Sequence, residues 1–102
     1  MVIPKTVIWS PAAKQDLENI TDYLMHKWGN NVVTSFLRRV NWLISQIAVN
    51  PCQYPVLNPS HKVRRCVLTK QNTLFYREIK NQIEIVRIYD TRQDPEKLKI
   101  LV

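Results

Sequence analysis

Apolar residues recur every three or four positions over two stretches in the first half of the chain, and they form three β-branched and aromatic runs in the second half. A helix brings positions i, i+3 and i+4 to one face, whereas successive strand residues point to opposite faces. The pattern therefore predicts two amphipathic helices followed by three strands. A shorter run of the same kind, residues 6–9, predicts one further strand before the helices.

Signals at the helix boundaries agree with this interpretation. The hydroxyl of Ser10 can cap the first helix, and Pro11 suits the first helical position, where its missing N–H is not needed. Gly29 is expected to end that helix, and Asn30 or Asn31 is expected to cap the second. So short a connection predicts an antiparallel helical hairpin.

Each predicted helix has one apolar stripe that must pack against another element. The stripes comprise Ala13, Leu17, Ile20, Leu24 and Trp28 in the first helix and Val33, Phe36, Leu37, Val40, Leu43, Ile44 and Ile47 in the second. The polar residues of the first helix that are expected to face water are Lys14, Asp16, Glu18 and Asp22. The tryptophans that are expected to pack in the core are Trp9, Trp28 and Trp42.

The second half of the chain predicts a sheet. Residues 50–62 contain three prolines and little periodicity, so they are expected to form a connection. Short turns separate the strands that follow, which therefore pair as antiparallel hairpins. The helical hairpin must cover one sheet face, because its apolar stripes otherwise have nothing to pack on, but alternation leaves open which face is inside. The predicted strands are Val63–Thr69, Thr73–Ile79 and Ile83–Asp90.

Length and composition restrict the class of protein. The 102 residues are 45% hydrophobic and 23% charged, as in one soluble globular domain, so residues 1–102 are expected to form a single domain. No apolar run reaches the roughly 18–20 residues that cross a bilayer, and residues 1–5 are too short for a signal peptide, so we expect a cytoplasmic protein. Cys52 and Cys66 are accordingly expected to remain reduced.

The net charge of +7 is concentrated toward the end of the chain. Residues 62–102 contain ten lysines and arginines against five aspartates and glutamates, which leaves +5 in this part alone. An acidic partner is therefore expected to meet the C-terminal half.

The arginines of the predicted strands are the main candidates for a functional patch. Alternation divides them between the two sheet faces, so a subset is expected either to form a basic contact surface or to pair with nearby acidic residues. Arg87 interrupts an apolar run, which predicts a partly buried role or a structural ion pair with Asp90 or Asp94. Two tyrosines are expected either to pack in the sheet or to contact a partner. The full set is Arg64, Arg65, Arg77, Arg87, Arg92, Tyr76 and Tyr89.

Other kinds of chemistry find little support. Cys52, His61 and Cys66 lack the paired spacing and the fourth ligand of a zinc site. Gly29 is the only glycine, which excludes a glycine-rich phosphate loop and a G-x-S-x-G nucleophile motif. No cofactor or metal is predicted.

Several short motifs follow one another along the chain: W-S-P-x-A-x-x-D-L at 9–17, N-P at 50–51, Y-P at 54–55, R-R at 64–65, L-F-Y-R at 74–77, I-V-R-I-Y at 85–89 and R-x-D-P at 92–95. Their order and spacing resemble the RelE/ParE toxin superfamily of bacterial type II toxin–antitoxin systems. The resemblance implies an α+β fold, in which an N-terminal strand and an antiparallel two-helix hairpin pack on a curved antiparallel sheet of about four strands.

The resemblance also implies one of two activities. RelE-like members cut mRNA in the ribosomal A site with lysine and arginine side chains, whereas ParE-like members inhibit DNA gyrase and lack that set. RelE-like toxins place cations where this sequence has Thr73 and Cys66. Cleavage needs several such groups within reach of one phosphate. The nuclease candidates that remain are Arg64, Arg87, Arg92 and Tyr89.

The resemblance therefore implies a ParE-like toxin that inhibits DNA gyrase by binding and is neutralised by a small antitoxin in a hetero-oligomer. A RelE-like, ribosome-dependent mRNA endonuclease is the alternative, and a degenerate member that retains only antitoxin binding is a third hypothesis. In the binding hypothesis, the residues that contact the target or the antitoxin are Arg64, Arg65, Tyr76, Arg77, Arg87 and Arg92.

Overall fold

The structure is a computed structural model that describes residues 3–90. Its elements, in chain order, are β1 (Val7–Trp9), α1 (Pro11–Trp28), α2 (Asn30–Val49), a 3-10 turn (Pro51–Gln53), β2 (Val56–Asn58), β3 (Val63–Thr69), β4 (Asn72–Ile79) and β5 (Gln82–Asp90). The predicted α+β class, both helices and the three long strands are confirmed. None of the helices within the described range is long and apolar enough to cross a membrane.

The sheet has five strands in the order β1-β5-β4-β3-β2, and it is mixed rather than purely antiparallel. β1 pairs with β5 in parallel, while all other neighbours are antiparallel. The predicted antiparallel sheet is confirmed for β2 to β5, and the structure adds the short strand β2 and the parallel pairing of β1 to the strands that were expected. The parallel pair depends on a contact between the two ends of the described chain, and β2 is a three-residue strand between prolines, where periodicity gives no signal.

Backbone chemistry explains the tight connections. Gly29 ends α1 with φ +92°, which favours glycine, and it also precedes the first residue of α2. No side chain caps α2, so the expected cap by Asn30 or Asn31 is wrong. Lys80 and Asn81 both have positive φ in the β4–β5 turn, the geometry that matches the twist of a two-residue hairpin.

The helical hairpin packs on one face of the sheet, here called the inner face. The core joins the helical stripes to inner-face residues Cys66, Leu68, Leu74, Tyr76, Ile83, Ile85 and Ile88. A smaller apolar group, the outer-face cluster, lies on the opposite face and comprises Val63, Phe75 and Tyr89 with Leu57 and Val86 packed against them. Apolar packing on both faces explains why the sequence alternates so weakly along β4 and β5.

Three residues of the helices differ from their predicted environments. Trp28 and Trp42 are 62% and 50% exposed, whereas Trp9 packs against the core as predicted. Trp42 precedes buried Leu43 and therefore points away from the stripe. Asp16 was expected to face water, but it is 8% exposed.

Candidate interaction surface

A β-bulge in β5 determines where its side chains point. Phe75 pairs with Arg87 and the next residue of β4, Tyr76, pairs with Ile85, so β5 has one extra residue at this point. The bulge resets the alternation, which lets Ile88 join the inner-face core and places Tyr89 in the outer-face cluster. Strict alternation would have put Arg87 on the same face as Ile85.

Side chains of the N-cap residue of α1 and of α1 itself cover the edge of β5 at the bulge. β1 ends at Trp9, opposite Ile85, so among residues 3–90 the following backbone groups of β5 have no strand neighbour on the side away from β4. The Ser10 hydroxyl accepts a hydrogen bond from the Ala13 N–H (3.0 Å) and donates one to the Val86 carbonyl (2.7 Å). These bonds cap α1 and occupy an edge carbonyl that would otherwise be open to another strand.

Asp16, within α1, is the second residue whose side chain reaches this edge. Its Oδ2 accepts hydrogen bonds from the Ile88 N–H (3.0 Å) and from Arg87 Nε (2.6 Å), and its Oδ1 accepts one from Arg87 Nη2 (2.9 Å). The hydrogen bond to Asp16 raises the pKa of Arg87, so the guanidinium stays charged. The acidic partner predicted for Arg87 was Asp90 or Asp94, whereas the structure pairs it with Asp16, 71 residues earlier.

Arg64 and Tyr76 hold the 3-10 turn against the inner face. Arg64 Nη1 donates to the carbonyl of Tyr54 (2.6 Å) and, more weakly, to that of Cys52 (3.4 Å), while the Tyr76 hydroxyl donates to the carbonyl of Pro51 (2.7 Å). Tyr76 is fully buried, and burial raises its pKa. The enclosed side chain of Tyr76 agrees with the alternative of packing in the sheet, and its role as a contact residue stays a prediction.

Arg65 and Arg77 lie on the outer face of the sheet. Arg65 is opposite Phe75, and Arg77 follows Phe75 by two residues on the same face, a diagonal separation of about 7–8 Å between neighbouring strands. Arg65 is exposed, and Arg77 Nε donates to Glu84 Oε1 at 2.8 Å. These two cations therefore flank the outer-face cluster.

The predicted site residues do not form one constellation. Arg64 belongs to the inner face, Arg65 and Arg77 to the outer face, and Arg87 to the edge beside α1. Tyr89 is 8% exposed within the outer-face cluster. Arg92 lies outside the described residues, so its role stays a prediction.

Sequence reasoning missed Asp16 although a signal was present. Asp16 follows Ala13 by three positions and precedes Ile20 by four, which places it on the buried stripe of α1 rather than opposite it. A carboxylate at a stripe position requires hydrogen-bond donors, and an arginine inside an apolar strand supplies them.

An apolar groove opens at the end of the helical hairpin. It has a volume of about 440 Å³ and is lined by Leu24, Trp28, Val32, Ser35, Phe36, Arg39, Thr69, Gln71 and Asn72. Arg39 Nε donates to the Leu68 carbonyl (3.0 Å), and its guanidinium lies 5.0 Å from the ring centre of exposed Trp42. Within residues 3–90, no group of three or more His, Cys, Asp or Glu side chains is placed to hold a metal ion.

The fold resembles those of solved toxin–antitoxin systems. A chain of the chromosomal ParDE TA system from P. aeruginosa superposes with a TM-score of 0.71 at 20% identity, over 86% of this chain and 97% of that one. A chain of the RelBE2 toxin–antitoxin complex from Mycobacterium tuberculosis gives a TM-score of 0.57 at 17% identity, over 86% of this chain and 99% of that one. At these identities the likeness shows the fold alone, which this chain shares with the two chains of solved toxin–antitoxin systems.

Sequence comparison identifies the family of the chain. The model of the ParE toxin of the type II toxin–antitoxin system parDE matches residues 7–95. Toxin ParE1 from two strains of Mycobacterium tuberculosis, CDC 1551 / Oshkosh and ATCC 25618 / H37Rv, is 30% identical over 89 residues, which cover 86% of this chain and 91% of that protein. The chain belongs to the ParE toxin family and is a ParE-type toxin of a type II toxin–antitoxin system.

Proposed function

We propose that this chain inhibits DNA gyrase by binding to it and that a cognate antitoxin neutralises the inhibition. The ParE family assignment supports the toxin–antitoxin module, and the resemblance stated above links ParE-like members to gyrase. Binding rather than catalysis is the mechanism that we assign to this chain.

The observation that carries this proposal is that two of the nuclease candidates, Arg64 and Arg87, are hydrogen-bonded to groups of the chain itself. Arg64 is bonded to main-chain carbonyls, and the charge of Arg87 is paired with a buried carboxylate, so the two do not form a group of unpaired cations around one scissile phosphate. Thr73 and Cys66 occupy positions where RelE-like toxins carry cations. Cys66 is 2% exposed, and burial raises the pKa of its thiol. These four positions therefore offer little support for general acid–base cleavage of RNA, which needs several proton-transfer groups and cations at one site.

We assign the target contact to the outer face of the sheet. Arg65 and Arg77 lie beside the outer-face cluster, and exposed Val67 (63%) extends the apolar area along β3. Arginine beside apolar side chains is typical of binding surfaces, since the guanidinium supplies hydrogen bonds at the rim of the contact. Arg64 and Tyr76 are removed from this surface because both hold the 3-10 turn.

A supercoiling assay with purified gyrase tests the proposal. The unaltered chain is expected to block supercoiling, and the double variant Arg65→Glu/Arg77→Glu should need at least about tenfold more protein for the same inhibition. Arg38→Glu, which changes an exposed arginine on α2, serves as the control and should behave like the unaltered chain.

A purified translation system tests the alternative. We expect mRNA to stay intact when the chain is present at concentrations that inhibit gyrase. Cleavage in the ribosomal A site that disappears in Arg92→Ala would replace the proposal by the nuclease hypothesis. A chain with neither activity that still binds its antitoxin would support the degenerate hypothesis.

A further inference from the structure

Arg87 combines a fixed position with an open hydrogen-bonding edge. Its Nε and Nη2 bind the two oxygens of Asp16, which is the bidentate arrangement that holds a guanidinium plane most firmly. The side chain is nonetheless 33% exposed. Within residues 3–90, Nη1 has no hydrogen-bond partner, so the edge of the guanidinium that faces away from Asp16 can still donate.

The other arginines with hydrogen bonds are held differently. Arg64 uses Nη1 for its two carbonyl bonds, and Arg39 is held by a single bond from Nε to a carbonyl. Arg77 has a single bond to Glu84, whose side chain is itself 22% exposed. A side chain that is already immobilised loses little conformational freedom on binding, so Arg87 is the best prepared of these arginines to recognise a ligand.

The surroundings of Arg87 indicate the kind of group that it would bind. Asp16 and Arg87 are together neutral, so the pair creates little long-range attraction for a polyanion. Sites for a nucleic acid backbone gather several cations along a groove, whereas the side chain bonded to Arg87 is the Asp16 carboxylate and its direct partner in β4 is Phe75. The open N–H edge fits one planar carboxylate, which takes two parallel hydrogen bonds from a guanidinium.

We propose that Asp16 and Arg87 form a recognition point for a single carboxylate of the antitoxin. Arg87 makes the contact, and Asp16 acts as a positioning residue that sets the orientation of the guanidinium. This inference rests on the proposed function in one respect, since it requires that an antitoxin binds this chain. It adds the chemistry of one contact, which neither the family match nor the resemblance supplies.

Two substitutions separate geometry from charge. Arg87→Lys keeps the positive charge but loses the planar fork, and it should weaken antitoxin binding by about tenfold, chiefly through faster dissociation. Asp16→Asn keeps the size of the side chain but directs an amide donor at arginine or backbone donors. It should weaken binding by a similar factor, although its own side chain does not touch the antitoxin.

A control shows whether these losses arise only from a disturbed fold. Ser10→Ala removes the hydrogen bond to Val86 at the same bulge but leaves the guanidinium and its partner intact. It should reduce the stability of the chain while antitoxin affinity stays within about twofold of the unaltered value. Arg38→Lys, at an exposed position of α2, controls for the exchange of arginine for lysine itself.

The measurement is the affinity and dissociation rate of the full-length chain for the purified protein encoded beside its gene, under conditions where circular dichroism shows every variant to be folded. Tight binding by the unaltered chain, with tenfold losses in Arg87→Lys and Asp16→Asn and none in Ser10→Ala, is the expected result. Tight binding that Arg87→Lys leaves within twofold would overturn this inference alone. Equal losses in Ser10→Ala and Asp16→Asn would assign Asp16 a structural role only. Failure of the unaltered chain to bind would overturn both this inference and the proposed partner.

Discussion

Asp16 shows how one buried carboxylate can join distant parts of a small chain. It accepts three hydrogen bonds from β5, and all three come from residues about 70 positions away. The cost of removing a carboxylate from water is offset when its oxygens are paired in this way. The acidic residue of the W-S-P-x-A-x-x-D-L motif is therefore explained by the bulge that it stabilises.

Replacement of Asp16 by alanine should lower the free energy of unfolding by about 2–3 kcal/mol. The Ile88 N–H would lose its acceptor, and Arg87 would lose its counterion, although its partial exposure limits the second loss. Urea denaturation measures the change. Asp22→Ala, at an exposed position of the same helix, is the matched control and should stay within about 0.5 kcal/mol of the unaltered chain. A loss of less than about 0.5 kcal/mol in Asp16→Ala would contradict this account.

The buried hydroxyl of Tyr76 predicts a dependence of stability on alkaline pH. Burial raises the pKa of Tyr76 above its ordinary value of 10.0, so the unfolded chain releases this proton more readily than the folded chain does. The contribution of the protonated phenol is therefore complete below about pH 10 and is lost as the pH rises beyond it. Cys66 and Tyr54, whose pKa values are also raised by burial, act in the same direction.

Tyr76→Phe isolates this effect. The unaltered chain should be the more stable of the two by about 1 kcal/mol at neutral pH, because the variant leaves the Pro51 carbonyl without its donor. The difference should shrink above about pH 10, since phenylalanine cannot ionise. Denaturation curves recorded between neutral and alkaline pH give this difference directly, and a constant gap up to about pH 11 would be inconsistent with a buried phenol.

At the scale of elements, the bulge in β5 is the main feature of the structure that the hydrophobic pattern of the sequence did not predict. The two helices and three long strands follow from periodicity and turn residues, and their bounds agree closely with the prediction. The bulge could not be predicted because apolar residues lie on both faces of β5, so neither register leaves an obvious error in the pattern. The positions of Arg87 and Tyr89 depend on that one residue.

The pairing of β1 with β5 was also beyond the reach of the pattern. A strand of three residues such as β1 has too short a pattern to indicate which strand it pairs with. Its parallel direction follows only from how the helical hairpin returns the chain to the sheet. The Ser10 hydroxyl links the two features, since it caps α1 and binds the first carbonyl beyond the paired segment.

Ser10→Ala should reduce stability by about 1–2 kcal/mol, because it removes a helix cap and a bond to the bulge together. The control is Ser45→Ala on α2, whose hydroxyl donates only to the carbonyl three residues earlier, Trp42, at 2.6 Å. Such bonds within a helix contribute little, so Ser45→Ala should be neutral or slightly stabilising. Thermal unfolding of the two variants side by side makes the comparison, and equal losses would show that the bulge contact adds nothing.

For the whole molecule, the main conclusion is that the arginines of the sheet lie in different places and make different contacts. The net charge predicts a basic chain that binds an acidic partner. The strand pattern places most of its C-terminal arginines on the sheet. Only the structure separates Arg64, which supports the fold, from Arg65 and Arg77 on the outer face and Arg87 at the edge. Their separation favours binding over cleavage, since catalysis would require several of them around one phosphate.

The central claim is best tested by titrating gyrase with the purified chain and counting how many toxin molecules each inhibited gyrase requires. An inhibitor that acts by binding must be present in amounts comparable to its target when both exceed the dissociation constant, whereas an enzyme acts at far lower ratios. We predict that the loss of supercoiling follows the molar ratio and saturates near stoichiometric amounts, with mRNA unchanged at the same dose. Arrest of translation with cut mRNA at a small fraction of that dose, while supercoiling continues, would contradict the account.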